Sequence, residues 1–185
     1  MTANDLNDTS EPLRHPSFNN VNLRELLAEK LGIAELFLER DGRMFEVWVW
    51  GSRTSITKRQ IDAVAPLADG LVQLDRKCLE AISVGFADGS LTSVADFAEH
   101  HSDVDVMSIE TLNELLGEKP HTPEKVVAKV KFLKASIFAD PDGELGLPET
   151  QVAVLDYGLG FEISQYVLAI AVDINGSILS IEMEA

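Results

Sequence analysis

One cysteine in 185 residues, Cys78, excludes an internal disulfide framework and any zinc site built on several thiolates. Cations are scarce too: 15 Lys and Arg stand against 31 Asp and Glu, a formal net charge of −16. Nucleic-acid affinity comes from basic side chains displacing phosphate counterions, so no nucleic-acid partner is expected. No apolar run approaches the ~18 residues of a membrane span, and Met1 to Asn20 is polar rather than leader-like. No membrane partner is expected, and the cytoplasm is the expected setting. The usual catalytic signatures are missing as well. There is no G-x-S-x-G elbow, no GK[ST] phosphate loop and no H-E-x-x-H helix, so the sequence predicts no catalytic set and no cofactor.

What is present reads as a globular chain, 45% apolar. Residues 1–20 read as a flexible polar tail, and residues 21–185 as a single α+β domain with no internal repeat. Leu23, Leu26, Leu27 and Leu31 fall at helical spacing before Gly32. Two strands, Glu35 to Arg40 and Arg43 to Trp50, flank Asp41-Gly42, a dipeptide suited to the positive φ angles of a type I′ turn. Phe45, Val47 and Val49 share one face of the second strand. Trp48 and Trp50 share the other, and are expected in the core beneath a covering helix.

Residues 55–117 read as helical. Stripes at Ile61, Val64 and Leu67, then at Leu71, Leu74, Cys78, Leu79 and Ile82, are expected to close at Gly70 and at Gly85 to Gly89. Cys78 on such a stripe predicts a buried structural thiol. Ser93 with Asp96 resembles a capping box, and Ser108 is expected to cap the next helix. Thr122-Pro123-Glu124 reads as a helix start, followed by a strand from about Lys131. Asp140-Pro141-Asp142-Gly143 is turn chemistry. Gln151 to Tyr157 predicts a strand. Tyr166 to Ile174 and Ser177 to Glu184 predict a hairpin closed by Asn175-Gly176, with Leu179, Ile181 and Met183 as its apolar face. The whole predicts an antiparallel sheet, made from N-terminal and C-terminal hairpins, with a central helical layer packed on one face.

Charge is unevenly placed. Residues 61–120 hold twelve acids and three bases, a block of −9. Within it, Asp96, Glu99, His100, His101, Asp103 and Asp105 lie close together. Imidazole with carboxylate suits a divalent transition metal. His100 and His101 point about 100° apart on a helix, though, and a solvated acidic helix end is the simpler reading. Asp156 ends a predicted strand, where it is expected to cap the loop that follows.

Val154-Leu155-Asp156-Tyr157-Gly158-Leu159-Gly160-Phe161-Glu162-Ile163-Ser164-Gln165-Tyr166-Val167-Leu168, then Asp173-Ile174-Asn175-Gly176-Ser177-Ile178 and Ile181-Glu182-Met183-Glu184, resembles the C-terminal pattern of a bacterial family catalogued as domain of unknown function two-thousand-and-four. Ser164-Gln165-Tyr166 stands where an acidic-Tyr step is usual, and Ala185 where a terminal Ser is common. The resemblance implies a compact bacterial domain and carries no catalytic residues with it.

The leading expectation is a non-enzymatic acidic binding protein, most specifically an immunity-type inhibitor of a basic toxin domain, with Asp96, Glu99, Asp103, Asp105 and Asp156 as contact residues. Such a field speeds encounter with a basic protein partner by long-range steering. It also serves solubility alone. The alternatives are a metal-dependent enzyme using His100 or His101 with nearby carboxylates, and a homodimeric regulatory domain joined through sheet edges or the Trp48–Trp50 face.

Overall fold

The computed structural model describes residues 11–52, 56–140 and 151–185. The first ten residues of the expected tail, and the expected Asp140–Gly143 turn beyond its first residue, lie outside them. The fold is α+β. Among the described residues, six α-helices, α1 (Leu23–Glu29), α2 (Lys58–Asp69), α3 (Leu71–Ala87), α4 (Thr92–Ser102), α5 (Ile109–Leu116) and α6 (Pro123–Val127), accompany six strands. These are β1 (Ile33–Arg40), β2 (Arg43–Trp50), β3 (Lys131–Phe138), β4 (Ala153–Gly158), β5 (Val167–Val172) and β6 (Ile178–Glu184). They form one sheet in sequence order, mostly antiparallel.

The expectation of an antiparallel sheet needs one correction: β2 and β3 run parallel, with Val47 opposite Ala135 and Trp50 opposite Phe138. Five helices separate these strands in the chain, enough length for a crossover that returns in the same direction.

The described chain divides into two compact units. One draws on Met1–Leu71, Ala135–Ala153 and Val172–Ser177, the other on Val72–Lys134, Val154–Ala171 and Ile178–Ala185.

In the first unit, Asp41 and Gly42 both take positive φ, 50° and 74°, as a type I′ turn requires. That turn sets Arg40 opposite Arg43 and Ala34 opposite Val49. Because side chains alternate, the register buries Leu36, Leu38, Phe45, Val47 and Val49 together. Trp48 and Trp50 therefore take the other face, half-buried rather than in the core: the Trp48 indole donates to Glu46 at 2.8 Å, and Trp50 stands 6.2 Å from Phe138. Thr57 and Gln60 close a capping box at the start of α2. At its other end Arg40 donates to Ala68 O (3.1 Å) and reaches Asp69 (3.4 Å), tying β1 to the carbonyl end of the helix. Two outward groups of β1 are already occupied: Asn19 donates to Phe37 O, and Arg40 to Glu39 O. Such blunting protects an edge strand from pairing with other chains.

Asn175-Gly176 does not make the expected two-residue turn. Gly176 alone takes positive φ (70°), and its N–H donates to Asp173 O, while Asp173 N–H donates to Ser177 O. This is a three-residue connection with glycine at its left-handed position. The Asp173 carboxylate holds it by accepting from Ser177 N (2.7 Å) and Asn175 N (2.8 Å), bonds that also keep its pKa below the usual range.

In the second unit, α3 ends at Ala87, within the expected Gly85 to Gly89 stretch. Gly85 itself is needed for a close approach: a Cβ there would sit 2.2 Å from Leu91 Cδ1. The expected Ser93 cap is absent. Leu91 is the N-cap of α4, and Ser93 Oγ donates to Ile181 O on β6 at 2.6 Å. Ser108 does cap α5, accepting from Thr111 N. On the apolar face expected of β6, Ile181 is buried and Met183 half-buried, while Leu179 is exposed.

Candidate functional site

The α4–α5 segment lies wholly in the second unit. Val94, Phe97, Ala98 and His101 follow the i, i+3, i+4, i+7 spacing and are buried, which turns Asp96 and Glu99 outward. The chain then leaves α4 through a tight turn. Asp103 Oδ1 accepts from Asp105 N at 2.9 Å, and Asp103 O accepts from Val106 N and Met107 N. Held this way, Val104 and Val106 are 54% and 47% exposed beside the exposed Asp103 and Asp105. Glu110, Glu114 and Glu118 extend the exposed acid along and past α5. Four of the five expected contact residues are thus exposed, two on the outer side of α4 and two in the turn that follows it.

The fifth does not. Asp156 sits inside β4, its side chain 14% exposed, and its carboxylate meets Lys134 Nζ of β3 at 3.4 Å. It therefore does not serve as the expected loop cap. Burial raises its pKa above the usual carboxylate value, while the Lys134 cation pulls the other way. Lys134 also stands 5.8 Å from the Phe161 ring.

The two histidines have different fates, as adjacent helical positions should. His100 is half-buried, its ring 4.6 Å from Tyr166. His101 is fully buried, and both ring nitrogens are engaged, Nδ1 with Phe97 O and Nε2 with Ser164 Oγ, each at 2.8 Å. Burial lowers its pKa, against the raising effect of the Phe97 carbonyl. Asp103 is meanwhile committed to its own turn. Among the described residues no three His, Cys, Asp or Glu side chains gather as a metal would require.

The interior holds a polar cluster that sequence reading missed. Asp75 on α3 is 2% exposed and accepts from the Tyr157 hydroxyl of β4 at 3.1 Å. Cys78, one turn later on the same helix face, also bonds to that phenol, and burial pushes its thiol up to about 11. Burial likewise drives the Tyr157 hydroxyl upward. The thiol is thus buried and protonated, as its place on the apolar stripe implied. One signal for Asp75 was available: it lies within the Leu71, Leu74, Cys78 stripe, where a carboxylate needs a partner.

Among the described residues, no helix is long and apolar enough to cross a membrane. Compared with protein-family models, curated proteins and solved structures, the chain matches none of them. The family resemblance of its C-terminal stretch rests on those residues alone.

Proposed function

We propose that this protein is a non-enzymatic binding protein whose α4–α5 surface captures a basic protein in the cytoplasm, most specifically a basic toxin domain that it neutralises. The observation that carries this reading is the Asp103–Val106 turn, which holds two valines out to solvent among exposed carboxylates. Protein interfaces combine an apolar centre with a polar rim, and a single-sign rim selects a partner of opposite sign. The −9 charge of residues 61–120 adds long-range attraction that salt screens.

The test is co-expression with the product of the adjacent gene. The expected result is a one-to-one complex whose association slows at least about tenfold between low and high salt. Replacing Val104 and Val106 with Ser should speed dissociation, whereas Asp103→Asn with Asp105→Asn should mainly slow association. A chain that binds no product of its own locus overturns the proposal.

A second reading, a homodimer through the β1–β2 face, is favoured by Phe37 and Met44, both exposed on the face that carries Trp48. A mass measurement in solution tests it: a monomer across the micromolar range sinks it.

A further inference from the structure

The contacts of His101 with Phe97 and Ser164 determine where the protons lie. A carbonyl oxygen only accepts, so the contact with Phe97 O places the ring proton on Nδ1. Nε2 is left with a lone pair, and the Ser164 hydroxyl donates to it. Ser164 Oγ in turn accepts from Tyr166 N–H at 3.1 Å. Unlike the fully buried imidazole, Ser164 is only half-buried. A serine within hydrogen-bond reach of a base, with a third group fixing the tautomer of that base, is the arrangement that activates a nucleophile.

We propose that Ser164 is a nucleophile, served by His101 as general base, that accepts an acyl or phosphonyl group from an activated ester. In the acyl case the Ser164 Oγ–C bond forms as the hydroxyl proton passes to His101 Nε2. The tetrahedral adduct then breaks its ester C–O bond, and the departing oxygen takes the proton back from Nε2. The products are acyl-Ser164 and an alcohol. Tyr166 N–H steadies the partial charge on Oγ as its proton leaves, and the Phe97 carbonyl holds the transient imidazolium. A buried imidazole is a weak base, so only esters with good leaving groups react at useful rates. This reactivity is independent of partner capture by the α4–α5 surface.

The probe is a fluorophosphonate, which forms an Oγ–P bond and expels fluoride. Whole-protein mass and peptide mapping should show one adduct per chain, on Ser164, formed about a hundredfold faster than in the same chain unfolded in urea. Ser164→Ala should abolish it. His101→Gln should reduce it at least about tenfold while the far-UV spectrum is retained. If that variant loses its fold, the wild-type pH profile decides. The rate must rise along one titration lying below the ordinary imidazole value of 6.5 and then level off. The titratable rings facing His101 are His100, 5.0 Å away, and Tyr166, 6.2 Å away; His100 helps to lower the His101 pKa, so His100→Gln should move the single titration toward 6.5 without abolishing it. Labelling no faster than in urea, adducts spread over several serines, or a pH-independent rate overturns the assignment.

Discussion

The exposed acids of α4–α5 and the polar pairs buried in the same unit are built from the same residue types and do opposite things. Asp96, Glu99, Asp103 and Asp105 face water and keep their hydration, with Asp103 also accepting the Asp105 N–H of its own turn. Asp75, His101 and Asp156 have lost most of that water and are answered by Tyr157, by Ser164 and Phe97, and by Lys134. Desolvation makes each buried partnership a condition of folding. The surface acids are free to serve association.

The sharpest break between the two regions is Asp75→Ala, which takes the carboxylate acceptor from the buried Tyr157 hydroxyl and leaves it only the weak Cys78 thiol. It should cost about 3 kcal/mol in urea unfolding, and Tyr157→Phe about half as much. Next is Lys134→Met, which leaves Asp156 without its cation at a site still partly reached by solvent. About 2 kcal/mol is expected at neutral pH, shrinking on acidification as the carboxyl takes up a proton.

Acid titration should separate the buried groups from one another. The folded-state pKa of His101 is lowered, so the unfolded chain binds the proton first, and stability falls as pH drops through 6.5 toward the folded value. The folded-state pKa of Asp156 is raised above 3.8, so the folded chain binds the proton first and stability is regained as pH drops through that window. Thermal unfolding of His101→Gln and Asp156→Asn against wild type should therefore show differences of opposite slope. Parallel curves would mean that neither group is buried as described.

The smallest effect is expected outside. Asp103→Asn with Asp105→Asn should change stability by under about 0.5 kcal/mol, because these carboxylates face water and an amide oxygen can still accept the turn bond. A larger loss would mean that the turn, rather than a partner, is what the acids serve.

Much of the architecture was legible because local chemistry agrees with the tertiary fold. Asp41-Gly42 accepts two positive φ angles at little cost, and β1 and β2 follow in register. Ser108 and Thr122-Pro123 start their helices, and β3 begins at Lys131. Where the reading failed, a competing hydrogen bond had won: Asp173, just outside the Asn175-Gly176 dipeptide, gathered the surrounding N–H groups into a longer turn, and Ser93 left its helix end for the distant Ile181 carbonyl. The candidate surface was legible as a run of acid; its rigid valine-bearing turn was not.

By itself, then, the chain determined its helices, most of its strands, its −9 acidic block and the inertness of Cys78, because periodicity and charge act over a few residues. Only the tertiary structure decided that β2 and β3 lie parallel, that Asp156 answers Lys134, and that Ser164 meets His101. Those outcomes bring together groups 22 to 88 positions apart in sequence, and nothing in a local pattern records which partner will arrive.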